Sequence, residues 1–162
     1  MQFGVGVEYA FHSLFYLVDV PGPKPVGIRQ IADLHGITES YLSKVFAKLR
    51  KAGIVRSVPG AKGGYELARS AEDVSFWDII EAVEGSTFFF QCAEIRKKNI
   101  FVDDPSVFTD KCPCLIKVVL QEAEELFRNR LRSTTLRWLH ETVCRDFPDR
   151  KKQAIAQWVR GI

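Results

Sequence analysis

The stretch Ile31-Ala-Asp-Leu-His-Gly-Ile-Thr-Glu-Ser-Tyr-Leu42 decides the fold of this chain. A short amphipathic helix is predicted to begin at Ile28, and Gly36 ends it. Thr38 stands where the N-cap of a second helix is expected, and this helix is predicted to run to about Ala52. The buried face predicted for the second helix consists of Leu42, Val45, Phe46 and Leu49. Two helices joined by so short a turn are typical of a helix-turn-helix.

A Gly-rich hairpin is predicted directly after the second helix. Residues 54–58 form a β-type run, Pro59-Gly-Ala-Lys-Gly-Gly64 forms a turn, and residues 65–68 form the returning strand. A hairpin in this place is typical of the wing of a winged helix-turn-helix. The glycines do not make a nucleotide-binding loop, because such a loop opens a helix and has Ser or Thr directly after its Lys, whereas Gly63 follows Lys62 here.

Positive charge is concentrated on the same part of the chain. The 162 residues carry a net charge of only +3. Between Lys24 and Arg69, however, nine basic residues stand against three acidic ones, so this segment carries +6 and the rest of the chain carries −3. Such segregation is expected of a protein that binds the phosphate backbone of DNA. The length and the 46% hydrophobic content suffice for one domain with a real core.

The polar side of the second helix, largely in its N-terminal half, is predicted to contact DNA. Residues there reach base edges when such a helix enters the major groove. Hydroxyl groups and Lys can donate to bases or phosphates, while the wing holds the backbone or the minor groove. Any one of these residues could equally be an ordinary solvated side chain, so the argument rests on the set. The predicted DNA-binding residues are Thr38, Ser40, Tyr41, Ser43, Lys44, Lys48, Arg56, Lys62, Gly63 and Gly64.

The remainder of the chain is predicted to be mostly helical. A helix at Val5–Val18 precedes the helix-turn-helix, and a capping box at Ser75–Asp78 opens another. Residues 88–111 lack periodicity and are predicted to form a functional or mobile loop with at most a short helical turn. A long helix from Pro113 to about Arg132 follows, and two shorter helices, separated near Pro148, form the tail.

The long helix is predicted to dimerise the protein. A regular apolar stripe on a long arm suggests a partner helix in a homodimer. The predicted fold class is therefore mainly α with a small β-hairpin wing, a winged helix-turn-helix plus a long dimerisation helix. We expect a DNA-binding domain at 1–84, a sensor loop at 85–111, and the dimerisation helix with a C-terminal helical tail at 112–162. The apolar stripe consists of Leu115, Val118, Val119, Ala123, Leu126, Phe127 and Leu131.

These motifs resemble the IscR/NsrR family of bacterial transcription regulators. The resemblance rests on the helix-turn-helix stretch quoted above, on Leu49-Arg-Lys-Ala-Gly-Ile-Val-Arg-Ser-Val58 and on Gly63-Gly-Tyr65, and it covers nearly the whole chain. It implies a dimeric winged-helix regulator, often a repressor, that binds double-stranded operator DNA. In many members of the family an iron–sulfur cluster switches the DNA affinity, through its redox state or its presence.

The cysteines depart from the commoner family pattern of three closely spaced cysteines. Cys92 is followed by a wide gap and then by Cys112-Pro-Cys114, while Glu8 and His12 stand one helical turn apart on the first helix. This combination, with Cys92-x-Glu-Ile-Arg96, is similar to the RsrR branch of the family. That resemblance implies a [2Fe–2S] cluster held by cysteines together with a Glu and a His. The implied metal ligands are Glu8, His12, Cys112 and Cys114.

The implied ligand set is chemically sensible. Two thiolates on one iron, with an imidazole and a carboxylate on the other, complete four-coordination at both metals, and the imidazole raises the reduction potential. Our hypothesis is that one subunit supplies Cys112 and Cys114 and the other supplies Glu8 and His12. Tyr9, beside the second pair, could then reorient when the cluster changes charge.

The cysteines are also compatible with other functions. A cluster-free regulator could switch through thiols and disulfides of Cys92, Cys112 and Cys114. An enzyme with Cys112 or Cys114 as nucleophile and His12 as base would lack an orienting group and leave the basic wing unexplained, so we predict no enzyme activity. We recognise neither a signal peptide nor a spanning segment, and therefore predict a cytoplasmic protein with no membrane partner.

Overall fold

The structure is a succession of helices interrupted by one β-hairpin. The computed structural model describes residues 2–18, 25–60, 63–86 and 88–161. The mainly α fold class with a two-stranded wing is thereby confirmed. The elements described are α1 (Val5–Phe15), α2 (Ile28–His35), α3 (Glu39–Lys51), β1 (Val55–Val58), β2 (Gly64–Leu67), α4 (Phe76–Glu84), short 3-10 helices at Ile95–Lys98 and Pro105–Val107, α5 (Leu115–Arg132), α6 (Leu136–Asp146) and α7 (Asp149–Arg160).

The helix-turn-helix forms as its sequence predicts. Gly36 ends α2 with a φ of +64°, in the left-handed region that glycine adopts without steric cost. Thr38 is the N-cap of α3 by backbone geometry, although its side chain makes no capping hydrogen bond. The predicted buried face of α3 is confirmed in full.

The wing is fastened to the chain before α2. Strands β1 and β2 pair antiparallel, with Val55 opposite Leu67 and Val58 opposite Gly64. Tyr65 and Val26 exchange two backbone hydrogen bonds of 2.9 and 2.8 Å, so the hairpin packs on the chain that leads into the helix-turn-helix. A Cβ atom on Gly64 would lie 2.3 Å from the Val26 carbonyl oxygen, which explains why glycine is needed there.

One hydrophobic core joins the helix-turn-helix to the C-terminal helices. Side chains of α1, α2, α3 and α4 are buried together in it, and Leu136 of α6 is buried among them. The start of α6 is hydrogen-bonded to the chain before α4, since the Leu136 amide donates to Val74 and the Phe76 amide donates to Thr134, both at 2.8 Å. The capping box predicted at Ser75 and Asp78 is present.

Two predicted helix bounds were too wide. Helix α1 ends at Phe15 rather than Val18, because the chain tightens into turns that bond residue i to i−3 from Tyr16 onwards. Helix α5 begins at Leu115 rather than Pro113, because Cys114 has an extended backbone and acts as the N-cap. No helix in the described ranges is both long and apolar enough to cross a lipid bilayer.

The apolar stripe of α5 is divided between two faces. Phe127 and Leu131 pack against the core, whereas Leu115, Val119 and Leu126 are exposed. Helix α5 packs against α4, and Phe127 also contacts Phe3 and Phe89, whereas Leu115 is 75% exposed and Leu126 is 73% exposed in the described chain.

Candidate functional site

The N-terminal half of α3 presents a polar surface. Thr38, Ser40 and Lys44 are exposed there, and Ser43 is half-buried. Among the described residues, no acidic side chain forms an ion pair with Lys44. This side of α3 can therefore offer hydroxyl and ammonium donors to an anionic ligand.

Two of the predicted DNA-binding residues on α3 have partners inside the protein. The Tyr41 ring packs edge to face on Tyr9 of α1, with ring centroids 5.6 Å apart. The Lys48 ammonium donates a hydrogen bond of 2.6 Å to the carbonyl of Val83, in the last turn of α4. A cation at a helix C-terminus is favourable, so Lys48 joins α3 to α4.

The wing residues differ in how far the structure describes them. Arg56 on β1 is exposed and forms an ion pair of 2.7 Å with Glu66 on β2. Lys62 lies outside the described residues. Gly63 and Gly64 are half-buried, and a Cβ on Gly63 would lie 2.3 Å from the Val58 carbonyl oxygen. Both glycines are thus needed for packing of the hairpin, whatever else they contact.

Three of the cysteines lie in one region. Cys112 is exposed and Cys114 is buried at the N-cap of α5, while the Cys92 sulfur accepts a hydrogen bond of 3.4 Å from the Glu94 amide. The backbone N–H groups at the start of α5, above all that of Lys117, hold the pKa of the Cys114 thiol below its usual value, and Cys92 contributes in the same direction. The fold thus brings together Cys92 and Cys114, two of the three cysteines of the cluster-free alternative.

The sequence did not reveal that the Arg96 side chain connects the cysteine segments. Its guanidinium donates 3.1 Å and 3.3 Å hydrogen bonds to the carbonyl oxygens of Cys112 and Pro113, and it forms an ion pair with Glu94 at 2.5 Å. It also stacks over the Phe108 ring, 4.5 Å from the centroid. The only sequence signal was its place four residues after Cys92.

Glu8 and His12 are exposed on α1, one turn apart, as their spacing predicts. The His12 ring lies 6.1 Å from that of His35. It also borders a cavity of about 340 Å³ that opens between α1, α4, α6 and α7. The other residues that line this cavity are Phe11, Phe15, Tyr16, Phe76, Leu139, Val143, Phe147 and Lys151.

A single subunit does not assemble the four predicted metal ligands. In the described part of the chain, no group of three or more Cys, His, Asp or Glu side chains could hold a metal ion. The predicted ligands instead occur as two pairs, Glu8 with His12 on α1 and Cys112 with Cys114 before α5. Thiolate, imidazole and carboxylate groups are all donor types that bind iron, and each pair supplies two of them.

Comparison with known proteins identifies the fold. Residues 4–142 match the family model of Rrf2, described as an iron-dependent transcriptional regulator. The HTH-type transcriptional regulator NsrR of Shouchella clausii is 27% identical over 137 residues, which are 85% of this chain and 87% of that protein. In the solved structure of T. potens IscR, the match covers 88% of both chains at 31% identity, with a TM-score of 0.62. CymR, the global cysteine regulator of B. subtilis, matches at 25% identity with a TM-score of 0.61, over 88% of this chain and 98% of that one.

These findings confirm the resemblance to IscR and NsrR. The matched relatives are named as regulators of transcription, which agrees with the prediction that the chain is not an enzyme. The family match spans the helix-turn-helix, the wing, the cysteine region and α5. The chain therefore belongs to the Rrf2 family, and it is a DNA-binding transcriptional regulator.

Proposed function

We propose that the protein is a homodimeric repressor, acting in the cytoplasm where bacterial DNA lies, whose affinity for operator DNA is switched by a [2Fe–2S] cluster. One observation carries the proposal. Cys112 is exposed directly before α5, so it adjoins the exposed apolar face of that helix. A surface that joins two copies would also bring ligands of both together. Residues 1–84 then bind DNA, 85–111 form the sensor loop, and 112–162 dimerise.

The dimer interface of this proposal is the uncovered face of α5. Leu115 is 75% exposed and Val119, one turn later, is 61% exposed, while the neighbouring Ile116 is 65% exposed. Contiguous apolar residues at such exposure mark interaction surfaces. The opposite face of α5 already packs against the core through Phe127 and Leu131, so a second copy would pack on the exposed face.

The metal centre of this proposal is shared between subunits. Cys112 and Cys114 of one subunit would hold one iron, and Glu8 and His12 of the other would hold the second. Bound there, the cluster supplies a one-electron redox couple at a potential raised by the imidazole. The residues of this chain provide the sulfur, nitrogen and oxygen donors and fix the distance between the two copies.

The path from the ligands to DNA runs through α1. Tyr9 follows Glu8 directly and packs on Tyr41 of α3. A displacement of Glu8 or His12 would therefore move the Tyr9 ring against the recognition helix. Because α3 also carries Lys44 and Ser40, a small rotation of this helix changes which donors reach the major groove.

DNA recognition is tested with a matched pair of lysines on α3. Lys44 lies in the N-terminal half of the helix and Lys51 at its C-terminal end, and both are exposed. We expect Lys44→Met to weaken operator binding several-fold and to lower the slope of log affinity against log salt by about 1. Lys51→Met should change neither quantity. Equal losses in both variants would contradict the proposed orientation of α3.

The cluster is tested by visible absorption, iron and acid-labile sulfide of protein purified without oxygen. We expect equal iron and sulfide in the wild type, and loss of both in His12→Ala and Cys112→Ala while the dimer persists. Cys144→Ala, in α6, is the matched control and should keep its colour. DNA affinity should differ between the oxidised and reduced protein by about tenfold or more. A colourless wild type after reconstitution, or wild-type colour in both ligand variants, would contradict the assignment.

A mixed dimer tests whether the ligands come from two subunits. His12→Ala and Cys112→Ala chains with different tags are co-expressed, and the heterodimer is isolated. If ligation crosses between subunits, the heterodimer retains one intact site, with His12 from one chain and Cys112 from the other, and half of the wild-type iron. If each subunit binds its own cluster, the heterodimer contains none.

A cluster-free thiol switch is a second candidate, favoured by the closeness of Cys92 to Cys114. A peroxide would oxidise the Cys114 thiolate to a sulfenic acid, releasing hydroxide, and the Cys92 thiol would displace water from it to form a disulfide. Cys112, exposed, would be the alternative partner. Peroxide treatment of the apo-protein followed by peptide mass spectrometry tests this: a Cys92–Cys114 linkage that alters DNA affinity supports it, and unlinked thiols contradict it.

A further inference from the structure

The region between Cys92 and Cys114 has little hydrophobic support. Its regular structure is limited to two short 3-10 helices, and several apolar side chains, among them Ile100 and Phe101, are exposed. A loop of this kind does not fix the relative position of two cysteines twenty-two residues apart by burial alone. Some other interaction must bring Cys92 to Cys114.

The Arg96 side chain contacts three separate parts of this region. It binds the Glu94 carboxylate through Nε and Nη2 at 2.5 and 2.9 Å, it stacks on Phe108, and it donates to the carbonyls of Cys112 and Pro113. The planar fork of a guanidinium permits this combination, because its N–H groups point in fixed and different directions. Most of the side chain is shielded, with 27% exposed.

The Glu94 backbone supports the same interpretation. Its φ of +49° puts it in the left-handed region, which is unfavourable for a residue with a side chain. In that conformation the Glu94 amide donates a hydrogen bond to the Cys92 sulfur, and the Glu94 carboxylate forms an ion pair with the Arg96 guanidinium. Because surrounding contacts must hold such a backbone in place, the Arg96 pair and the Cys92 contact stabilise one another.

We propose that Arg96 is a positioning residue, which joins the Cys92 loop and the Cys112–Cys114 turn into one preorganised thiol site. Through its contacts with the two carbonyls it fixes the direction of the Cys112 and Cys114 side chains before any ligand is bound. Its charge also lies close enough to act on both thiols. The part of this inference that concerns cluster stability rests on the proposed function, whereas the preorganisation of the thiols does not.

Two variants separate the planar geometry of the Arg96 guanidinium from its positive charge. Arg96→Lys keeps the positive charge but cannot bind a carboxylate and two carbonyls in one plane, and Arg96→Met removes both. The matched control is Arg132→Met, because Arg132 forms an ion pair of 2.8 Å with Glu125 on α5, away from the cysteines. Far-UV circular dichroism of all three variants checks that the helices are intact.

The first measurement is amide hydrogen exchange of the apo-protein across residues 92–114. We expect exchange to be about tenfold or more faster in both Arg96 variants and unchanged in Arg132→Met. Equal exchange in the wild type and both Arg96 variants would overturn the proposal, whether or not the protein binds a cluster. A colourless wild type, by contrast, would contradict the cluster assignment and leave this measurement to decide the role of Arg96.

The second measurement uses the cluster-loaded protein. Iron loss to a chelator should be about tenfold faster in both Arg96 variants, because the thiols are no longer held in place. The reduction potential should fall in Arg96→Met only, since reduction adds negative charge and Lys retains the nearby cation. A potential unchanged in Arg96→Met would show that the guanidinium charge does not act on the cluster, and unchanged iron loss in both variants would overturn the positioning role.

Discussion

The winged module (α2, α3, β1 and β2) buries its large apolar side chains, whereas the cysteine region (residues 88–120) leaves several of them exposed. In the module, Phe46, Leu42 and Ile54 are completely buried. Between residues 88 and 120, Ile100 is 88% exposed and Phe101 is 86% exposed. The first region buries these side chains within a single chain, and the second does not. The winged module is therefore packed without help from another molecule, whereas the exposed apolar side chains of the cysteine region are of the kind found at interaction surfaces.

The two regions are also stabilised by different forces. The module is held mainly by apolar burial around α3. The cysteine region is held by charged side chains, Arg96 at one end and Glu124 at the other. Charge-assisted contacts fix directions well but add less stability than a core, so this region can rearrange at a small energetic cost.

The largest expected effect is on the module, through Phe46→Ala. Phe46 is fully buried and packs edge to face on Tyr65 of the wing, with centroids 4.8 Å apart. We expect a loss of about 3–5 kcal/mol in the free energy of unfolding, measured by denaturant titration. A loss below about 1 kcal/mol would contradict the conclusion that apolar burial around α3 holds the module together.

The second effect concerns the uncovered face of α5. Replacing Leu115 and Val119 together by Glu should raise the dimer dissociation constant about 100-fold, measured by sedimentation equilibrium, because each copy then brings charges to an apolar interface. The helices should remain folded, since neither side chain contacts the core. Gln121→Glu, an exposed polar position on the same helix, is the control. An unchanged dimer in the double variant would place the interface elsewhere.

The third effect lies where the two regions meet. Glu124 is buried on α5 and accepts hydrogen bonds from the Phe89 amide at 3.2 Å and from Arg128 Nε at 2.9 Å. Arg128 in turn stacks over the Trp77 ring. Glu124→Ala should lower the free energy of unfolding by about 2 kcal/mol and speed amide exchange at Phe89. The control is Glu122→Ala, exposed on the same helix, and similar results for both would refute the anchoring role of Glu124.

The smallest effect separates two lysines of α3. Lys48→Met should cost about 1 kcal/mol of stability, because the Val83 carbonyl loses its donor. Lys44→Met should leave the free energy of unfolding within about 0.3 kcal/mol and change only DNA binding. Thermal unfolding of the two variants side by side measures the difference. Equal stability would mean that Lys48 is as free for DNA as Lys44.

The sequence predicted what depends on local spacing and missed what depends on distant contacts. The helix-turn-helix, the wing and the Ser75 capping box follow from residues a few positions apart, so periodicity and capping chemistry were sufficient. The division of the α5 stripe could not be predicted, because Leu115 and Phe127 look alike in sequence and differ only in what they face. For the same reason, the contact of Lys48 with α4 had no signal in the spacing of α3.

The candidate site shows the same limit more sharply. Residue types and the resemblance indicated Glu8, His12, Cys112 and Cys114, but the meeting of Cys92 with Cys114 depends on Arg96, which contacts carbonyls sixteen and seventeen residues away. Backbone carbonyls carry no residue identity, so no motif could have revealed these partners. Only the three-dimensional structure assigns Arg96 its contacts.

The burial of Leu136 has a consequence for synthesis of the protein. This side chain, fully buried in the core, comes from α6, far along the chain from the helices that bind DNA. A growing chain on the ribosome cannot complete that core until Leu136 has emerged, although domains generally begin to fold from the N-terminus. By that time Cys92, Cys112, Cys114 and α5 have emerged as well. The order of translation thus ensures that the core beneath the helix-turn-helix is completed only in a chain that already contains α5 and these three cysteines.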